Sequence, residues 1–87
     1  MISGIQIRAG RALLAWDQGK LAEAAGLSII TIKRLEAAGE EIHAHFATVI
    51  KLKKAFEKAG VMFLGEEGGL GYGVRLIRTA RRRNAKS

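Results

Sequence analysis

Apolar residues recur at helical spacing up to about residue 60, and short β-prone runs take over after that. Ile7, Gly10, Arg11 and Leu14 fall at i, i+3, i+4 and i+7, which predicts a first helix running to about Ala15. Ser3-Gly4-Ile5-Gln6 fits a capping box, with the Ser hydroxyl serving the third N–H and the Gln side chain reaching back to the cap. Gly10 allows close helix approach. Trp16 ends the helix and is placed to seal the core beside the next turn. Leu21, Ala22 and Ala25 form the stripe of a short second helix. Asp17 is its cap, because a carboxylate accepts orphan backbone N–H groups there. Gly26 is its stop, where positive φ meets no Cβ clash. Leu27 plugs the turn, and Ser28 caps a third helix. Ile32 and Leu35 face inward from it, leaving Ile29, Ile30, Lys33 and Arg34 on the other face.

Ala37 to His45 reads as a linker, with Gly39 ending the third helix and Glu40 and Glu41 turned away from any polyanion. Ala47 to Ala59 is the next helix, its stripe formed by Val49, Leu52, Phe56 and Ala59. Lys51, Lys54 and Lys58 run along another face with Lys53 beside them, either as a solvated face or with the helix start touching a polyanion. Gly60 is the stop. Val61-Met62-Phe63-Leu64 and Gly73-Val74-Arg75-Leu76-Ile77 then predict a β-hairpin around a long, flexible, Gly-rich loop. A lone two-stranded hairpin is barely stable in water. Both faces of this one carry apolar residues, so one face can cover the helices and the other, with the strand edge, calls for a partner. Val61, Met62, Phe63, Leu64, Val74 and Leu76 are therefore expected to make a dimerisation element. The expected organisation is a helical domain over 1–60, the hairpin over 61–77 and a disordered basic tail over 78–87.

Two short helices joined by a tight, Gly-containing turn carry a helix-turn-helix signature. The string Gln18, Leu21-Ala22, Ala25-Gly26, Ser28, Thr31-Ile32 and Arg34-Leu35-Glu36, with Arg11 seven residues before Gln18, resembles the phage-repressor-type (Xre/Cro-like) DNA-binding domain. The resemblance covers roughly Gln6 to Gly60. It implies a mainly α, four- to five-helix repressor-like helix-turn-helix domain. The C-terminal β-hairpin departs from that family's all-helical minimal domain. It also implies that Ile29, Ile30, Lys33 and Arg34 touch DNA. An Ile can pack on a thymine methyl, and Lys33 or Arg34 can donate to guanine. The alternatives are that Ile29 belongs to the core and that Arg34 meets only phosphate. Gln18 is implied to hydrogen-bond a backbone phosphate, and Lys20, Ser28 and Thr31 are further phosphate candidates. Arg11 on a core-facing stripe needs a partner. The resemblance implies an ion pair with Glu36 that clamps the first helix to the end of the third; the alternative is an Arg reaching out to solvent.

Charge adds a second feature. The chain of 87 residues carries a net +7, of which residues 78–87 hold five basic side chains and no acid. That tail reads either as a phosphate-binding arm or as a solvated, solubilising end. So short a chain buries only roughly 60–65% of its unfolded surface, which makes a dimer welcome. Absence of Cys excludes disulfides, thiol catalysis and Cys-based zinc sites. His43 and His45 alone are too few for a structural metal. The Gly-Gly-Leu-Gly-Tyr-Gly stretch opens no helix, so it is not a phosphate cradle. No enzyme activity, metal or cofactor is expected. No apolar run is long enough for a signal or transmembrane segment, so a cytoplasmic, nucleoid-associated protein is expected. The expected function is a sequence-specific, double-stranded DNA-binding transcriptional regulator, a repressor in the first instance, acting as a homodimer on an inverted repeat. The alternative is an antitoxin-like protein whose apolar hairpin holds a toxin-like partner and which can bind DNA too.

Overall fold

In the computed structural model, which describes residues 2–40 and 42–77, helix α1 (Gly4–Leu14) begins with a reciprocal cap. The Ser3 hydroxyl accepts from the Gln6 N–H at 3.1 Å, and Gln6 Oε1 accepts from the Ser3 N–H at 2.9 Å. The helix stops at Ala15, whose φ of 57° is left-handed. The Ala15 and Trp16 N–H groups turn back to the Ala12 and Arg11 carbonyls. Helix α2 (Gln18–Ala25) is capped by Asp17 and closed by Gly26 at φ 71°. Ser28 caps α3 (Ile29–Ala37), and α4 (Phe46–Ala59) ends at Gly60. The third helix is capped by Ala38, with Gly39 following at φ 72°. The fourth begins at Phe46, one residue before the expected start.

The helices bury one face each. Ile7, Leu21, Ile32, Leu35, Leu52, Phe56 and Val61 are fully enclosed. Phe56 is the hub. Its ring lies against Gly10, where an added Cβ would come within 2.9 Å of it. Trp16 stacks on the ring with centroids 6.1 Å apart, and Phe63 meets it edge-on at 5.3 Å. Such offset and edge geometries suit the ring quadrupoles. Gly4 makes the other close approach. A Cβ there would run into the carbonyl oxygens of Leu35 and Glu36, and the Gly4 N–H donates to the Gly39 carbonyl at 2.7 Å. The start of α1 is thereby docked on the end of α3.

Strands β1 (Val61–Leu64) and β2 (Gly73–Leu76) pair antiparallel, Val61 opposite Leu76 and Phe63 opposite Val74. Strand alternation turns those four side chains toward the helices. α1 packs along both strands and α4 along β1. One face was expected to cover the helices, and the structure corrects the assignment of Val61, Phe63, Val74 and Leu76 to the dimerisation element, because they form that inward face. Val61 is buried in the chain's own core, and Phe63, Val74 and Leu76 are half-buried against it. Only Met62, 40% exposed, with half-buried Leu64 and exposed Arg75 beside it, faces outward. Gln6 latches the hairpin shut, its Nε2 donating to the carbonyls of Leu64 at 3.1 Å and Gly73 at 2.9 Å. Glu67 and Leu70 pair across Gly68 (φ 57°) and Gly69 (φ 83°), successive positive φ values of the kind a two-residue hairpin turn demands.

The described residues thus form a mainly helical domain of four helices with a small C-terminal hairpin. No helix among them is long and apolar enough to cross a membrane. The basic segment 78–87, expected to be a disordered arm, and Glu41, expected to face away from DNA, lie outside the described residues.

Candidate nucleic-acid interface

Helices α2 and α3 are joined by the three residues Gly26, Leu27 and Ser28. The Leu27 N–H returns to the Ala22 carbonyl at 2.9 Å, and the Leu27 side chain packs on the core. That bond and the Ser28 cap fix the direction in which α3 leaves the turn. Ile32 and Leu35 are 0% and 1% exposed and anchor the helix. The opposite edge is therefore outward. Ile30 is 74% exposed and Ile29 42%, and Lys33 and Arg34 are exposed one turn later. Ile29 leans its Cδ1 toward Gly19 of α2 and takes no place in the buried core.

The only carboxylate on α3 is Glu36, and it is buried. Arg11 donates to it twice, Nε to Oε2 at 2.7 Å and Nη2 to Oε1 at 2.9 Å, and its Nη1 donates to the Trp16 carbonyl at 2.9 Å. The hydrogen bond to Glu36 holds the Arg11 guanidinium above the usual arginine value, against the opposing effect of burial. The stability linked to that shift is present below the unfolded-state arginine value and is lost as pH rises through the raised one, well above neutral pH. The negative charge of Glu36 is thus compensated before it reaches the outward edge.

Gln18, at the first position of α2, donates from Nε2 to Glu36 Oε1 at 3.0 Å. One of its amide hydrogens is thus committed to the protein. The Ser28 hydroxyl is 3.1 Å from the Thr31 N–H and 2.9 Å from the Thr31 hydroxyl, so these two phosphate candidates first serve each other. Lys20 is exposed and only loosely paired with Glu23, at 4.0 Å.

A cleft of about 370 Å³ adjoins the exposed edge, lined by Arg34, His43, Ala44, His45 and Thr48. The side chain of His45, the N-cap residue of α4, makes no capping hydrogen bond. Orphan N–H groups at such a helix start are a natural partner for an anion. The cleft comes from the linker. In the run Ile42-His43-Ala44-His45-Phe46 polar and apolar residues alternate, and the two histidines line this cleft while Ile42 and Phe46 line a separate groove. Nothing local in the sequence joins the two histidines to Arg34 or Thr48. The period-two alternation was the available signal. No group of three or more His, Cys, Asp or Glu side chains assembles as a metal site among the described residues.

No protein-family model matches the chain, and no curated protein matches it significantly.

Proposed function

We propose that α2 and α3 form a helix-turn-helix and that the chain is a sequence-specific, double-stranded DNA-binding transcriptional regulator of the repressor type. The observation that carries this reading is the outward edge of α3. Two adjacent isoleucines and two basic residues stand in solvent there, while the one acid on the helix is buried and paired. Exposed isoleucine has little reason to persist on a small helix without a surface to meet, and a thymine methyl is such a surface. Lys33 and Arg34 supply the donors that read guanine. Gln18, Lys20 and the Arg34–His43–His45–Thr48 cleft flank the edge and supply phosphate contacts, which set position without reading sequence. An inverted-repeat operator read by two copies follows from the geometry common to such motifs, with half-sites on the order of 34–36 Å apart.

Fluorescence anisotropy of a labelled duplex across a salt series tests the reading. Log affinity is expected to fall linearly with log salt as counterions are released. Binding that ignores salt, or no binding at low salt, contradicts it.

A further inference from the structure

The cleft beside the α3 edge gathers groups of one charge sign with no acid to offset them. Arg34 enters it from α3, His43 and His45 from the linker and Thr48 from the first turn of α4. Both histidines are exposed, so each imidazole can exchange a proton with solvent. Among the described residues no carboxylate lines the cleft. Glu36 is buried under Arg11, and Glu40 lines a different cleft beside Ser3 and Gln6. We propose that the Arg34 cleft is a proton-linked phosphate clamp. His43 and His45 become charged as a backbone phosphate of the duplex enters, so affinity for DNA rises with acidity. This rests on the DNA-binding reading and adds to it a regulation of the flanking site.

The geometry couples proton to phosphate. Alternation along the linker turns both imidazoles into one cleft of about 370 Å³, so a single anion can meet both. Without an anion, two charged rings there would face each other and the Arg34 guanidinium. They would also face the positive end of α4, whose N-cap is His45 itself. Like charges disfavour the protonated form, and an opposite charge favours it. The remaining charges on these elements do not supply one. Lys33 on α3 and Lys51 on α4 are cationic, and Glu57 stands toward the far end of α4. A phosphate brings the charge that the cleft lacks. Linkage is reciprocal, so protons that favour phosphate are themselves favoured by it. Histidine is the side chain whose charge changes between about pH 5 and 8, which places the coupling in that interval. The α3 edge itself reads sequence through Ile29, Ile30, Lys33 and Arg34, so the clamp changes affinity without changing which bases are preferred.

Anisotropy of a labelled duplex is measured with the full chain at about pH 8, 7 and 6, at fixed ionic strength. The proteins are the parent, the double variant His43→Gln with His45→Gln, and the double variant His43→Lys with His45→Lys. One coupled proton changes a binding constant by up to about tenfold per pH unit. The parent is expected to bind about tenfold or more tightly at the acid end than at the alkaline end. The Gln variant loses that gain and keeps the parent's weaker alkaline affinity, and the Lys variant binds tightly at every pH. A parent whose affinity ignores pH, or a Gln variant with the parent's pH profile, overturns the inference and leaves the DNA reading standing. Imidazole proton resonances of the parent, followed against pH in chloride and in inorganic phosphate, separate the two readings. Rings that stay protonated to higher pH in phosphate keep the clamp even where no duplex binds, a result that removes the DNA reading alone. Identical titrations in the two salts beside a pH-dependent duplex affinity assign the clamp to the duplex backbone. Identical titrations with no duplex binding overturn both.

Discussion

Arg11 and Glu36, one on α1 and one on α3, form a two-pronged pair at 2.7 and 2.9 Å with the carboxylate buried. The guanidinium side chain keeps 19% exposure, so part of its charge is already solvated. Removing one partner of a buried pair costs about 3–5 kcal/mol. The residual solvation of Arg11 places Glu36→Ala at the lower end, about 3 kcal/mol. Urea denaturation with an unchanged m-value checks this, and a loss under about 1 kcal/mol, the range of surface pairs, would mean that the clamp contributes little. The same substitution frees the Gln18 amide, so Gln18 should become more mobile in nitrogen relaxation measurements.

Ala15 stops α1 in the left-handed region at φ 57°, and its side chain is exposed. An L-residue pays about 1–2 kcal/mol for that conformation. Ala15→Gly removes the clash but adds unfolded-state entropy, and the expected net is a stabilisation of about 0.5–1 kcal/mol. A rise in the thermal midpoint checks it; a fall contradicts the assigned conformation.

Gly4 and Gly26 separate two reasons for having no side chain. Gly26 sits at φ 71° with nothing near a would-be Cβ. Gly26→Ala should therefore cost only the backbone penalty less the unfolded-state entropy it removes, a net of about 0.5–1 kcal/mol. Gly4 has no such strain, but a Cβ there meets the Leu35 and Glu36 carbonyl oxygens. Backbone yields less readily than side chains, so Gly4→Ala is expected to cost about 1–3 kcal/mol and to loosen α1 from α3. Hydrogen exchange at Gly39 and neighbouring amides reads that loosening, which Gly26→Ala should not produce.

Gln6 is 2% exposed and serves two structures at once, the α1 cap and the hairpin mouth. Gln6→Ala leaves the Leu64 and Gly73 carbonyls without their donor. Both carbonyls are only half-buried, so each lost bond is expected to cost about 0.5–1.5 kcal/mol. The expected result is selective: β1 and β2 amides lose exchange protection before those of α2 and α3. Uniform loss across the chain would assign Gln6 to capping alone.

Local signals in the sequence were sufficient for the element plan. Ser3, Asp17 and Ser28 cap the helices expected of them, and Gly26 and Gly60 stop theirs, because caps depend on a few adjacent residues. Of the contacts between distant residues, the Arg11–Glu36 pair was legible through the resemblance, and the others were not. Gln6 reads as a capping residue, yet its hairpin bonds span 58 and 67 residues. Gly4 reads as the second letter of a capping box, while the reason for its lack of a Cβ lies on the far end of α3. The hairpin's alternation is in the sequence, but which face turns inward depends on α1 and α4, and so Val61 was placed at an interface it cannot reach. The α3 edge was legible because its complement, Ile32 and Leu35, fills the core. The Arg34 cleft was not, because it needs the linker to fold back beside α3.

Arg34→Ala and Lys33→Ala should each weaken binding to a preferred duplex by about 1–3 kcal/mol if the side chain reads a base, with much less effect on random duplex. An equal loss on both assigns the residue to phosphate.

The most direct test of the α3 edge as a reader of DNA is selection of ligands from a random duplex library with the full chain. Enrichment of one inverted-repeat sequence is the expected result, with a half-site preference that changes when Ile30 or Arg34 is substituted. A library that emerges without an enriched sequence, or a preference identical in the parent and the substituted chains, contradicts the account.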